Sequence, residues 1–123
     1  MQRDELTYRV IGCAIEVHRH LGPGLLESAY EACMAQELGL SGLAFQQQRS
    51  LAVSYKGLSI DCGYRLDLVV ERQLIVELKS LDDLAPIHEA QLLTYMKLAG
   101  IPTGLLINFN VRQRKEGIKR FVL

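Results

Sequence analysis

Apolar residues recur at three- and four-residue spacing in three segments of the chain, and this pattern predicts three amphipathic helices. The predicted helices cover residues 5–21, 25–38 and 87–99. Gly22-Pro23-Gly24 separates the first two, because proline lacks an amide proton and glycine adopts turn conformations freely. Gly39 and Gly100 follow the second and third helices, as is typical of helix ends.

Short alternating or apolar runs predict strands in the middle and at the end of the chain. The predicted strands cover residues 51–55, 58–62, 64–70, 74–80, 104–108 and 118–122. Two helices therefore come first, followed by strands, a third helix and one or two further strands. This order predicts an α/β or α+β domain whose helices pack on a central sheet.

Composition indicates one globular domain spanning residues 1–123. Hydrophobic residues make up 49% of the chain and charged residues 23%, which argues against disorder. Fourteen basic and fourteen acidic residues give a net charge of zero, which excludes a histone-like protein that binds nucleic acid through its overall charge. A net charge of zero still allows a local patch of basic residues.

Cysteine usage and hydropathy indicate the compartment. The three cysteines are widely spaced and form no C-x-x-C pair, so we expect reduced thiols. The first five residues include two acids and no apolar segment of the kind a signal peptide needs. No apolar run approaches the roughly 18 residues that span a bilayer. We expect a soluble cytoplasmic protein that does not enter the membrane.

The two central predicted strands each have one apolar face and one face with charged side chains. A three-residue loop, 71–73, pairs Val70 with Leu74 and places Asp67 opposite Glu77, with Cβ atoms about 4.5–5.5 Å apart. A two-residue loop would instead set charges against the core. The apolar face, expected to lie on the core, contains Tyr64, Leu66, Leu68, Val70, Leu74, Val76 and Leu78; the opposite face concentrates Arg65, Asp67, Glu77 and Lys79.

This charged face has two interpretations. Two carboxylates about 5 Å apart repel by roughly 3 kcal/mol at an effective dielectric near 20, and a divalent cation such as Mg²⁺ or Mn²⁺ would relieve that repulsion. Lys79, about 7 Å along the strand from Glu77, would then orient a water or stabilise charge on a phosphate. Alternatively, a solvated strand face carries the ion pairs Arg65–Glu77 or Asp67–Lys79. The residues alone leave both interpretations open.

Asp67 and the run Glu77-Leu78-Lys79 have the arrangement D…E-x-K, and segment 24–30 reads G-x-x-E-x-x-Y. Together with segments 18–24, 88–95 and 104–109, this order resembles the GxxExxY proteins of the PD-(D/E)XK nuclease superfamily. The resemblance covers nearly the whole chain. It departs from the superfamily's name at Leu66, which replaces the proline.

The resemblance implies a restriction-endonuclease-like α/β core with a four-stranded mixed sheet flanked by helices. It also implies metal-dependent hydrolysis of phosphodiester bonds in DNA or RNA. The metal, Mg²⁺ or Mn²⁺, would be held by Asp67, Glu77 and the backbone carbonyl of Leu78, with Glu27 completing the site. Lys79 would position the attacking water.

The resemblance favours a site role for Glu27 and a packing role for Tyr30. Without the resemblance, the simpler interpretation is that Glu27 is an acid in the first helical turn, where the helix dipole favours it. Tyr30 would then be an ordinary aromatic residue of the core.

Further residues are candidates for contact with nucleic acid. The resemblance implies that Gln91 and Tyr95 face the metal site from the third helix. The alternative is that both residues lie on the outer surface of that helix. The basic residues Arg112, Arg114 and Lys115 form either a nucleic-acid patch or a solvated tail. A non-catalytic module that binds nucleic acid or protein and retains the fold is the alternative function, and a homo-oligomer stays open.

Overall fold

The computed structural model describes residues 2–123, apart from the side chains of Arg3, Arg114 and Lys115. The elements in chain order are α1 (Arg3–Leu21), α2 (Glu27–Leu40), β1 (Phe45–Ser50), β2 (Val53–Tyr55), β3 (Leu58–Ile60), β4 (Arg65–Val70), β5 (Leu74–Lys79), α3 (Pro86–Ala99), β6 (Thr103–Asn108) and β7 (Ile118–Val122). A 3₁₀ turn, Arg114–Gly117, precedes β7.

A mixed five-stranded sheet with the order β1-β4-β5-β6-β7 forms the centre of the fold. The β5–β6 pair is parallel and the other neighbours are antiparallel. β2 and β3 form a separate hairpin. The mixed α/β arrangement predicted from the element order is therefore confirmed.

Most predicted elements are present within about two residues of their predicted bounds. The second helix ends two residues later than predicted, because α2 continues through Gly39 to Leu40. The sequence pattern misses β1, whose residues Phe45–Ser50 read FQQQRS and have no apolar alternation. β1 adds an exposed edge strand, so the sheet has five strands where the resemblance implies four.

Helices cover both faces of the sheet. The first hydrophobic cluster joins α1 and α2 to Leu68, Val76 and other residues of one face. The second cluster joins α3 to Val69 and Ile75 on the opposite face. The charged face of the central hairpin is therefore not a solvated outer surface, because α3 packs on it.

Leu66 lies on the opposite side of the sheet from its predicted position. Alternation groups Leu66 with Leu68, yet Leu66 packs in the second cluster with α3. The regular pairing of β4 with β5 ends at Leu68, one residue after Asp67, so the alternation breaks at that point. The neighbouring residue on β1, Gln48, has a left-handed backbone conformation with φ of 50°.

No helix in residues 2–123 is long and apolar enough to cross a membrane. Cys13 is buried, Cys33 is half-buried and Cys62 is exposed, and all three are free thiols.

Candidate metal and phosphate site

The β4–β5 hairpin has the register that the apolar pattern predicts. Val70 pairs with Leu74 across the three-residue loop, and the pairing runs to Leu68 and Val76, which directly adjoin Asp67 and Glu77 in the two strands. The loop closes because Glu71 and Arg72 both adopt left-handed conformations, with φ of 52° and 56°. The predicted three-residue loop is confirmed.

The two carboxylates replace the backbone hydrogen bonds at the point where the strands separate. The amide of Asp67 donates to Oε1 of Glu77 at 3.3 Å, and the amide of Leu78 donates to Oδ2 of Asp67 at 2.8 Å. Each strand's acid thus accepts a hydrogen bond from the other strand's backbone. This reciprocal bonding fixes both carboxylates on the sheet rather than on mobile loops.

Glu77 is a buried acid, with 7% of its surface exposed. Burial, followed by the negative charge of Asp67, raises the pKa of Glu77 to about 9, and the charge of Lys79 lowers this pKa only in part. Neither an Arg65–Glu77 nor an Asp67–Lys79 ion pair is formed between these four described side chains. The alternative of a solvated face with cross-strand pairs is therefore wrong.

Lys79 lies at the end of β5, half-buried, beside Asn108 of β6. Its carbonyl accepts a hydrogen bond from the amide of Phe109 at 2.9 Å. The buried side chain of Asn108 accepts from the amide of Leu81 at 3.0 Å and donates to its carbonyl at 2.9 Å. These bonds fix the backbone on both sides of Lys79.

Helix α2 forms the opposite wall of a cleft of about 420 Å³ that opens on Asp67. Glu27 lines this cleft, as do Ser28, Glu31, Ala32, Gln47, Gln48 and Leu78. The structure thus brings Glu27 and Asp67 to one cleft. Within the described part of the chain, however, no three acidic, histidine or cysteine side chains are close enough to hold a metal ion together.

Three polar residues that line this cleft, Glu31, Gln47 and Gln48, were not predicted from the sequence. The side-chain amide of Gln48 donates to Oε1 of Glu31 at 2.6 Å and to Oδ1 of Asp67 at 3.4 Å, while Gln47 donates to Oε2 of Glu31 at 3.2 Å. Glu31 was detectable, because it lies one helical turn after Glu27. Gln48 carried no signal, since it belongs to the unpredicted strand β1.

Tyr30 has the packing role that was predicted, and it also anchors the loop before α2. Its ring is fully buried and stacks on Phe109, with centroids 4.4 Å apart and planes 5° apart. Its hydroxyl donates to the carbonyl of Gly22 at 2.6 Å and accepts from the amide of Leu25 at 3.1 Å. Tyr30 therefore fixes the loop that leads directly to Glu27.

Tyr95 of α3 lies near the acid pair, on the side away from α2. Burial, followed by electrostatic interactions with Glu77, Tyr64 and Asp67 in that order, raises the pKa of Tyr95. Gln91, one turn earlier, is exposed. Tyr95 therefore lies in the surroundings of Glu77, which is itself not among the residues that line the cleft against α2.

The basic residues near the C-terminus lie apart from the acid cleft. Arg112 is exposed and lines a second cleft of about 560 Å³, together with Ile15, His18, Arg19, Gly22, Pro23 and Gln113. The side chains of Arg114 and Lys115 lie outside the described residues. The segment between α1 and α2 connects the two clefts, since Gly22 and Pro23 line one and Glu27, the first residue of α2, lines the other.

Comparison with known proteins gives one family. The model of the PD-(D/E)XK nuclease superfamily matches residues 4–121, a range that includes the acid pair, Lys79 and Glu27. No curated protein and no solved structure matches the chain.

Proposed function

The chain belongs to the PD-(D/E)XK nuclease superfamily, and we propose that it is a metal-dependent nuclease of the GxxExxY type that hydrolyses phosphodiester bonds in DNA or RNA. The observation that carries this proposal is the buried Glu77, hydrogen-bonded to the Asp67 backbone beside Lys79. A purely structural sheet gains nothing from a buried acid facing another acid. A nuclease uses such a pair to bind a cation.

The donor set suits Mg²⁺ or Mn²⁺. Asp67, Glu77 and the carbonyl of Leu78 would supply hard oxygen ligands, and the uncompensated charge of the buried pair favours a divalent cation. Glu27 would add a carboxylate from the other wall of the cleft. A divalent ion held by these residues would polarise the phosphate as a Lewis acid and would lower the pKa of a bound water molecule.

The chain's own residues would orient the substrate and stabilise charge. Lys79 presents an ammonium group next to Glu77, where it would hold the attacking water and stabilise negative charge that develops on a phosphate oxygen. Tyr95 and Gln91 would contact the substrate backbone from α3. Tyr30 keeps Glu27 in place through the loop at Gly22–Leu25.

We expect the purified protein to cleave nucleic acid only when Mg²⁺ or Mn²⁺ is added, and EDTA to stop the reaction. The assay compares single-stranded, duplex and branched DNA with RNA. A Glu77→Gln preparation, purified in parallel, controls for contaminating nucleases and should be inactive. Binding of nucleic acid by the wild type with no cleavage of any substrate would instead make the chain a non-catalytic binding module.

If the second cleft binds nucleic acid, the affinity should depend on salt through its basic residues. Because the chain is neutral overall, we expect only a few phosphate contacts and a shallow dependence of affinity on salt. Arg112→Gln should reduce the slope of log K against log salt by about one, and adding changes at Arg114 and Lys115 should flatten it further. Fluorescence anisotropy across a salt series measures the slope.

Arg72→Gln is the matched control for this series. Arg72 is an exposed arginine in the loop that joins β4 to β5, and it does not line the second cleft. Its slope should equal that of the wild type. An unchanged slope for Arg112→Gln would place the nucleic-acid surface elsewhere on the molecule.

A further inference from the structure

Tyr64 and Tyr95 form an aromatic pair beside the acid pair. Their ring centroids are 5.9 Å apart and the planes are inclined by 58°. Tyr95 is half-buried in the second hydrophobic cluster, while 43% of the surface of Tyr64 is exposed. One ring is thus held by the core and supports a second ring that faces solvent.

The pair lies on the side of the sheet to which Glu77 belongs. Tyr95 packs in the same cluster as Ile75, which precedes Glu77 by two residues on β5 and shares its face. Tyr64 immediately precedes β4, three residues before Asp67. Tyr95 interacts electrostatically with both Glu77 and Asp67. Through its contact with Tyr95, the exposed ring of Tyr64 therefore lies on the same side of the sheet as Glu77.

The backbone at Tyr64 is also fixed. Its carbonyl accepts a hydrogen bond from the amide of Leu51 at 3.0 Å, and Leu51 is itself buried in the second cluster. A ring supported by Tyr95 and attached to a bonded backbone loses little conformational freedom when a ligand stacks on it.

We propose that the exposed ring of Tyr64 stacks on an unpaired base next to the phosphodiester that is cleaved, so that the substrate is single-stranded nucleic acid or a single-stranded branch. This inference rests on the proposed function and narrows its substrate. Every base has a π-face that an aromatic side chain can cover, whereas in a continuous duplex the neighbouring base pairs already cover those faces. A phosphate contact alone would not require an aromatic ring here.

Binding of oligonucleotides that carry 2-aminopurine tests this inference in EDTA, where no cleavage occurs. We expect the wild type to bind the single strand more tightly than the same sequence in a blunt duplex, and to change 2-aminopurine fluorescence. Tyr64→Ala should weaken single-strand binding about tenfold and leave duplex binding unchanged. Equal loss for both forms, or no loss for either, would overturn the proposal.

Three further variants separate stacking from packing. Tyr64→Leu keeps apolar volume against Tyr95 but removes the aromatic face, so it should bind as weakly as Tyr64→Ala. Tyr64→Trp should bind at least as well as the wild type. Tyr8→Ala removes a tyrosine with 79% exposure on α1, which packs on the opposite face of the sheet, and should bind as the wild type does. Wild-type affinity for Tyr64→Leu would refute stacking.

Cleavage assays run in parallel separate this inference from the proposed function. If the wild type cleaves nucleic acid but Tyr64→Ala retains single-strand affinity, the stacking proposal fails and the nuclease proposal stands. If Tyr64→Ala weakens single-strand binding but the wild type cleaves nothing with any metal, base stacking by Tyr64 is supported and the nuclease proposal fails.

Discussion

Lys79→Ala is expected to slow metal-dependent cleavage by about two to four orders of magnitude while leaving the fold intact. Lys79 is half-buried at the end of β5, and its charge acts on Glu77. Loss of the ammonium group removes stabilisation of charge on the phosphate, but the backbone around it remains held through Phe109 and Asn108. Initial cleavage rates measure the loss, and circular dichroism with thermal melting verifies the fold.

Lys97→Ala is the matched control for this loss. Lys97 is an exposed lysine on α3 and takes no part in the acid cleft, so its removal should leave the cleavage rate unchanged. If Lys79→Ala cleaves at the wild-type rate while Glu77→Gln is inactive, the role of Lys79 is wrong. If Glu77→Gln also cleaves at that rate, the whole site assignment is wrong.

The proximity of Asp67 and Glu77 was predictable because two local signals determine it. The apolar alternation of β4 and β5 identifies their faces, and the three-residue loop then permits one register, with Val70 paired to Leu74. Both signals lie within about fifteen residues of sequence. The two strands, their loop and the neighbouring positions of the two acids all follow from them.

The remainder of the cleft depends on contacts between distant segments. Gln48 meets Asp67 and Glu31 because an edge strand with a polar sequence pairs with β4 and lies against α2. No local pattern predicts that strand. The hydrogen bonds of Asp67 and Glu77 to the opposite backbone are likewise specific to the point at which the ladder ends, where Leu66 leaves its predicted face.

The stability of the metal-free protein should fall as the pH rises, and Glu77→Gln should abolish most of this fall. The folded-state pKa of Glu77, about 9, lies above the ordinary value of 4.5 for a glutamic acid. Between these values the folded state binds more protons than the unfolded state, so stability is greatest below the lower value and is lost as pH rises toward the higher one. From about pH 6 to pH 8 the loss is about 3 kcal/mol as an upper limit, or on the order of 10 °C in melting temperature.

Glu77→Gln is the appropriate variant because glutamine resembles protonated glutamic acid. Its side-chain oxygen still accepts the hydrogen bond from the Asp67 amide, and its side-chain amide donates where the acid proton would. Asp67→Asn is a poorer probe, because both carboxylate oxygens of Asp67 accept hydrogen bonds, from Leu78 and Gln48. In Asp67→Asn, the side-chain NH₂ group would replace one of these acceptor oxygens, so one of the two donors would lose its hydrogen bond.

Thermal melts of wild type and Glu77→Gln at a series of pH values in EDTA, repeated with Mn²⁺, measure both effects. In EDTA the variant should be the more stable protein, by a margin that grows with pH. With Mn²⁺ at about a hundred times its dissociation constant, the wild type should gain roughly 2.7 kcal/mol, whereas the variant lacks a ligand and should gain far less. At one fixed Mn²⁺ concentration the gain should be larger at high pH, since the metal must displace the proton of Glu77 at lower pH. If the melting temperatures of the two proteins change with pH in the same way in EDTA, the raised pKa of Glu77 is wrong. If Mn²⁺ does not raise the melting temperature of the wild type, the metal site is wrong.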